Sequence, residues 1–103
     1  MRPVAPEFVE AVLDVVAAIP PGSVMTYGDI AAVLGSRAAR AVGNVMAGFG
    51  SQVPWWRVIR ASGHPAIGHE DRALAHFRAE GTPLIETVDG YRVDLRRARH
   101  HPE

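Results

Sequence analysis

Apolar side chains near the start of the chain recur at helical spacing and predict an amphipathic helix over residues 6–18. The positions that define its apolar face are Phe8, Val12, Val15, Val16 and Ile19. The run Pro20-Pro21-Gly22 ends this helix, because neither proline can continue it and glycine permits a tight turn. We expect residues 23–25 to form a short extended link.

Two short helices separated by a glycine-containing turn are predicted next. Thr26 and Asp29 have the spacing of a capping box, which opens a helix that reaches residue 34. Ser36 can cap a following helix over residues 37–47. Two helices joined in this way indicate a helix-turn-helix.

The second of these helices has a polar face and an apolar face. At about 100° per residue, Arg37, Arg40 and Asn44 fall on the polar side. The apolar side consists of Ala38, Val42, Val45 and Met46. This pattern is typical of a helix that packs on a core and presents Arg and Asn side chains to DNA.

The middle of the chain predicts a loop over residues 48–52, a short strand and a further helix. Val58-Ile59 favours a strand because both side chains are β-branched. A helix over residues 70–80 would bury Leu74 and Phe77.

The clearest hairpin joins residues 84–88 to residues 91–95 through Asp89-Gly90, with alternating apolar positions on both sides. Residues 96–103 are expected to be a frayed tail. Together the elements predict a small α/β (α+β) domain of winged-helix type, with a helix-turn-helix and a C-terminal β-hairpin. The chain has 103 residues, and we expect residues 1–103 to be one domain.

The distribution of charge is more informative than its total. The formal net charge is +0, whereas nucleic-acid-binding domains are usually basic. However, no acidic residue lies between Asp29 and Glu70. The basic residues of this stretch are Arg37, Arg40, Arg57 and Arg60. A neutral protein can therefore still present one positive face to phosphates.

The chain contains no cysteine, which excludes disulfides, thiolate catalysis and cysteine-based zinc sites. Its five histidines show no metal-ligand spacing, so we expect no cofactor. No apolar run approaches the roughly 20 residues that span a bilayer, and the N-terminus lacks the apolar core of a signal peptide. We therefore expect a cytoplasmic protein without membrane contact, associated with the nucleoid when bound to DNA.

The run Pro54-Trp55-Trp56-Arg57-Val58-Ile59 resembles the active-site segment of the O6-alkylguanine-DNA alkyltransferases, whose pattern is Pro-Cys-His-Arg-Val followed by Ile or Val. In that family the Cys is the nucleophile and the His helps to form the thiolate. Here Trp55 stands at the Cys position and Trp56 at the His position. A family member of this kind looks like an alkyltransferase-like protein, which binds alkylated guanine without reacting.

Two further segments match the family in the same order. Residues 24–31, which contain Tyr27, are similar to its Val-x-x-Tyr-x-x-Ile/Leu-Ala segment, and residues 38–46, which contain Arg40, are similar to its recognition helix. The resemblance covers about residues 6–81. Three motifs in family order are much more specific than any one of them.

The resemblance implies a role for each matching residue. Trp55 would be the flat wall against which a flipped base stacks, and Trp56 would serve packing. Arg40 would insert into the duplex from the minor groove and fill the gap, while Tyr27 would crowd the 3′ phosphate and could bond the base edge. Arg57 would brace its loop through backbone carbonyls.

Weaker assignments complete the predicted site. Ser62 would contribute to the base pocket, and Arg37, Asn44 and Arg60 would contact DNA beside Tyr27. Each functional role has a plainer alternative, since adjacent tryptophans, a lone tyrosine and a helical arginine are commonly core or solvated residues. In an extended chain the two tryptophans would point to opposite sides, so at least one would face a pocket or solvent.

The chain departs from the family in the stretch 63–70, which is short. Family members usually have a longer loop there that roofs the pocket, and some alkyltransferase-like proteins stack an Arg of this loop on the alkylated base. No Arg lies between Arg60 and Arg72. The pocket is therefore expected to be more open.

These features favour a non-enzymatic sensor of DNA damage that binds O6-alkylguanine in double-stranded DNA by nucleotide flipping. The resemblance further implies that it acts as a monomer and flags lesions for nucleotide excision repair proteins, such as a UvrA-like damage sensor. A helix-turn-helix regulator that reads undamaged sequence, as a dimer, is the alternative. An enzyme with another nucleophile is disfavoured, because no paired His and carboxylate constellation is evident.

Overall fold

A short helix-rich core carries two small sheets in the computed structural model, which describes residues 5–102. In chain order the elements are α1 (Pro6–Ala17), β1 (Met25–Thr26), α2 (Tyr27–Val33), α3 (Ala39–Phe49), β2 (Val58–Ile59), α4 (Glu70–Glu80), β3 (Leu84–Thr87), β4 (Gly90–Val93) and α5 (Leu95–Ala98). The predicted α+β fold, with a helix-turn-helix and a C-terminal hairpin, is confirmed. Within residues 5–102, no helix has the length and apolar character needed to cross a membrane.

The helix-turn-helix consists of α2 and α3. The predicted capping box is present: Asp29 N donates to Thr26 Oγ1 at 3.0 Å, and Thr26 N donates to Asp29 Oδ2 at 3.1 Å. Both helices pack on α1 around one apolar cluster. The buried members of this cluster are Val12, Val16, Ile19, Met25, Ile30, Ala31, Val42, Val45 and Val58.

The bounds of α3 differ from the prediction at both ends. Ser36 does not cap it, because the Ser36 hydroxyl accepts a hydrogen bond from Ala38 N at 2.9 Å and closes a local turn instead. The helix begins at Ala39. It also continues to Phe49, since an interior glycine costs a helix only about 1 kcal/mol. A 3-10 helix, Gly50–Gln52, replaces the rest of the predicted loop.

A parallel pairing joins the helix-turn-helix to the Trp55 segment. Strands β1 and β2 are in register with Met25 opposite Val58 and Thr26 opposite Ile59. The sequence favoured extended chain at both places but did not predict that they pair. This contact brings the start of α2 next to the chain that follows Trp55.

The second half of the chain forms its own apolar cluster beneath the hairpin. Strands β3 and β4 are antiparallel, and Leu84 lies opposite Val93. Helix α4 has the predicted bounds and buries Phe77, but its other buried residue is Ala73, whereas Leu74 is only partly buried. The buried members of the cluster are Val24, Ile59, Ala73, Phe77, Val93 and Ala98.

The prediction of a frayed tail after residue 95 is wrong. Helix α5 forms, and Ala98 is buried at 2 % exposure. Val24 N donates to Ala98 O at 2.9 Å and His100 N donates to Val24 O at 2.8 Å, because the buried backbone of Val24 needs partners. An ion pair of 3.0 Å between Arg99 and Asp29 attaches the same segment to α2.

Gly63 occupies a position that another residue would strain. Its φ is +91°, and a Cβ there would lie 2.7 Å from Val93 O. We expect Gly63→Ala to lower the free energy of unfolding by about 2 kcal/mol, because both the left-handed backbone and the close approach disfavour a side chain. Urea unfolding measures this. Gly48→Ala is the matched control, since Gly48 has open space around it, and an equal loss in both variants would contradict the prediction.

Candidate functional site

A cavity of about 360 Å³ opens between the helix-turn-helix and the start of α4. Its wall combines side chains from α2, α3, the Trp55 segment, the following loop and α4. The residues that matter for its chemistry are Tyr27, Met46, Trp55, Ile67, His69 and Arg72. This volume lies at the small end of the range for ligand sites and suits one flat heterocycle.

Trp55 forms one wall of the cavity, but its backbone is not extended as expected. Trp55–Arg57 is a 3-10 helix that follows Pro54, and the rings of Trp55 and Trp56 meet edge to face with centroids 5.7 Å apart. Successive side chains of a helical turn do not alternate between two sides. Both tryptophans therefore pack against the second apolar cluster, and Trp55 also reaches the cavity.

Trp56 has a packing environment. Its ring stacks on His76 with centroids 3.6 Å apart and planes inclined by 5°. Its indole Nε1 donates to Glu80 Oε1 at 2.9 Å. An indole N–H is a donor only, so Trp56 cannot accept a proton as an imidazole would.

Glu80, the last residue of α4, accepts hydrogen bonds from three parts of the chain. Arg57 Nε and Nη2 donate to it, the latter at 2.5 Å, and Gly22 N donates to Oε2 at 3.0 Å. The predicted bracing role of Arg57 includes one backbone carbonyl, because its Nη1 donates to Ile19 O at 2.8 Å. Burial would raise the pKa of Glu80, but the hydrogen bonds from Arg57, Gly22 and Trp56 outweigh it and hold the pKa below its ordinary value.

This carboxylate makes stability sensitive to acid. A group whose pKa is depressed on folding contributes fully above its unfolded pKa, about 4.3 for Glu, and the contribution is lost as pH falls through the folded-state value. We expect Glu80→Gln to lack this part of the pH dependence, whereas Glu86→Gln, on the exposed hairpin, retains it. Urea unfolding at a series of pH values from neutral to acid measures the difference. Parallel profiles for Glu80→Gln and the wild type would contradict the expectation.

Arg72 and His69 form a cationic corner of the cavity that sequence reasoning missed. The Arg72 Cζ atom lies 5.4 Å from the centroid of the Trp55 ring, and Arg72 Nη2 hydrogen-bonds His69 Nδ1. The His69 ring is itself 5.5 Å from the Trp55 ring. Their spacing signals only one turn at the start of a helix. Their role becomes visible when α4 is placed over Trp55.

Tyr27 lines the cavity beside α3. A Cβ on Gly43 would lie 4.0 Å from Tyr27 Cδ1, so the helix passes close to the tyrosine ring. Burial raises the pKa of the Tyr27 phenol, and the positive charge of Arg60 opposes this shift. The hydroxyl is therefore protonated near neutral pH and can both donate and accept. Arg60 itself is held by a 3.0 Å hydrogen bond from its Nε to Pro65 O.

The predicted DNA-contacting side chains of the second helix region are exposed. Arg37 precedes α3, whereas Arg40 and Asn44 lie on it. Among residues 5–102, none of the three has a side-chain hydrogen bond or ion pair. Ser62 lies elsewhere: its hydroxyl is 2.8 Å from His64 Nδ1, and it does not line the cavity. The short turn before residue 65 directs Ser62 to solvent, so the geometry does not support a pocket contact by Ser62.

No group of three or more potential metal ligands occurs among the described residues 5–102. The polar atoms of the cavity are therefore suited to hydrogen bonds and ionic contacts with an organic ligand.

Comparisons with known proteins agree on one family. Residues 7–82 match the family model for the DNA-binding domain of 6-O-methylguanine DNA methyltransferase. The chain is 40 % identical over 97 residues to the DNA base-flipping protein of Escherichia coli, which covers 89 % of this chain and 73 % of that protein. It is 36 % identical over 97 residues to alkyltransferase-like protein 1 of Schizosaccharomyces pombe, covering 86 % and 90 % of the two chains.

Solved structures give the same result. The crystal structure of S. pombe Atl1 in complex with damaged DNA containing O6-carboxymethylguanine superimposes with a TM-score of 0.83 at 34 % identity, covering 99 % of this chain and 100 % of that one. The O6-methylguanine methyltransferase of Mycobacterium tuberculosis matches with a TM-score of 0.63 at 33 % identity, covering 75 % of this chain and 50 % of that one.

Proposed function

Because this chain belongs to the family of the DNA-binding domain of 6-O-methylguanine DNA methyltransferases, we propose that it is a non-enzymatic sensor of O6-alkylguanine in duplex DNA. The family resemblance expected from the sequence is thereby confirmed. The observation that carries the proposal is the base-sized cavity between α3 and Trp55. In the related Atl1 structures the bound partner is DNA, in one of them damaged DNA.

The arrangement of α3 supports nucleotide flipping. Arg40 is exposed, and small residues such as Gly43 and Ala47 line the adjacent cavity, so the helix can approach a groove closely. A flipped guanine would enter beside Tyr27 and stack on Trp55, which replaces the stacking lost in the duplex. Arg40 would occupy the gap from the minor groove, and Arg37, Asn44 and Arg60 would contact the DNA around it. Flipping costs less at a poorly paired base, which favours the lesion.

The same site explains why the bound lesion would persist. Trp55 replaces the family's nucleophile, the chain has no cysteine elsewhere, and the Trp56 indole is a donor to Glu80 rather than a base. A complex that holds the lesion without repairing it is a suitable signal for another pathway. We propose that nucleotide excision repair proteins, of the UvrA-like class, receive this signal in the cytoplasm.

An equilibrium titration of matched duplexes, one with O6-methylguanine and one with guanine, tests this function through Trp fluorescence. We expect tight binding to the lesion duplex, a fluorescence change from Trp55, and recovery of the base still alkylated. Equal binding to both duplexes would favour the alternative, a helix-turn-helix regulator that reads undamaged sequence. Release of the alkyl group, or its appearance on the protein, would contradict the non-enzymatic assignment.

A further inference from the structure

The cavity has two chemically different sides. Met46, Ala66 and Ile67 supply apolar surface, and the exposed fraction of Ile67 is 76 %. On the other side, the Arg72 guanidinium lies over the Trp55 ring and is hydrogen-bonded to His69. The stacking and the hydrogen bond hold this flexible side chain in one place, which lowers the entropy cost of any contact it makes with a ligand.

The proposed function places the O6 substituent of a bound guanine next to Arg72. In the reactive members of the family the nucleophile at the position of Trp55 must reach the carbon attached to O6. The substituent of a base in this cavity therefore points toward Trp55. Since the Arg72 Cζ atom is 5.4 Å from the Trp55 ring centroid, the far end of a substituent longer than methyl comes within reach of the guanidinium.

The positive charge of Arg72 is available to a ligand. Arg72 forms no ion pair with a carboxylate in residues 5–102, although Glu70 and Asp71 precede it on α4. Glu70 Oε1 instead accepts a hydrogen bond from Gly68 N at 3.0 Å. A guanidinium presents a planar set of donors that matches a carboxylate.

We propose that Arg72 makes this cavity select O6 adducts that carry a carboxylate over neutral adducts of the same size. The smallest such adduct is carboxymethyl. This selectivity rests on the proposed function, because it requires the alkylated base to enter the cavity. Arg72 is thus a specificity-determining residue that belongs to α4 rather than to the loop after β2.

The test compares duplexes that contain O6-carboxymethylguanine or O6-carbamoylmethylguanine, which differ in charge but hardly in shape. Because the DNA is otherwise identical, the ratio of the two Kd values cancels the phosphate contribution. We expect the wild type to bind the carboxymethyl duplex about fivefold more tightly, as a partly exposed ion pair allows. In Arg72→Gln the ratio should fall to about one, whereas Arg78→Gln, an exposed arginine of α4 outside the cavity, should keep the wild-type ratio.

A wild-type ratio near one, or an equal effect of Arg78→Gln, overturns the inference. An Arg72→Gln variant that weakens both adducts equally and keeps their ratio also overturns it, because Arg72 would then act on the base or the fold. The O6-methylguanine and guanine duplexes serve as a second pair. If the wild type prefers neither of them, the proposed function itself fails, and this outcome is distinct from a loss of charge selectivity alone.

Discussion

Glu80→Ala is expected to lower the free energy of unfolding by about 3 kcal/mol, the largest loss that a polar substitution should cause in this fold. The variant removes the acceptor of Arg57, Trp56 and the Gly22 amide together. The side chains of Arg57 and Glu80 are each only 13 % exposed, so the guanidinium would be left largely desolvated without its partner.

Urea unfolding at neutral pH measures this loss, and Glu86→Ala is the control. Glu86 lies on β3 and is exposed, so its removal should change stability by less than about 0.5 kcal/mol. If Glu80→Ala were as stable as Glu86→Ala, the hydrogen bonds around Glu80 would contribute nothing net. Glu80 would then be irrelevant to the fold despite its geometry.

The position of Glu80 also links stability to the site. It joins the C-terminal end of α4 to the turn after α1 and to the 3-10 helix that carries Trp55. The cavity lies between the opposite end of α4 and the same 3-10 helix. A rigid connection of these elements keeps the Trp55 wall in place before a ligand arrives, which reduces the ordering cost of binding.

The elements with a strong local signal were predictable. Periodic apolar positions located α1 and α4, the Thr26 and Asp29 pair located the start of α2, and Asp89-Gly90 located the hairpin turn. Each signal comes from neighbours within one or two turns of chain. The matching motifs also indicated the family, because they occur in a fixed order along the sequence.

The errors have a common physical origin in contacts between distant parts of the chain. Residues 96–102 have no local reason to be ordered, and they become ordered because Val24 offers unpaired backbone groups. Arg72 appears to be an ordinary exposed helical arginine until α4 is docked over Trp55. The Ser36 error is different, since a serine near a helix start can bond either the helix or a preceding turn.

Arg40→Ala is expected to weaken binding to an O6-methylguanine duplex by roughly 30-fold, about 2 kcal/mol, while leaving the fold intact. Arg40 is exposed on α3 and has no side-chain partner among residues 5–102 whose loss would destabilise the protein. If its guanidinium fills the gap left by the flipped base, its removal penalises the flipped complex specifically. Binding to undamaged duplex, which does not require flipping, should change much less.

Arg37→Ala provides the matched comparison, because Arg37 is also exposed but lies before the first turn of α3. As a phosphate contact it should weaken lesion and undamaged duplexes by the same factor and reduce the salt dependence of both. A 2-aminopurine opposite or beside the lesion reports unstacking, and its fluorescence increase should disappear in Arg40→Ala only. If the two variants instead lose affinity for both duplexes in the same proportion, Arg40 is one more phosphate contact, and the energy of flipping must be supplied by Tyr27 and the Trp55 cavity.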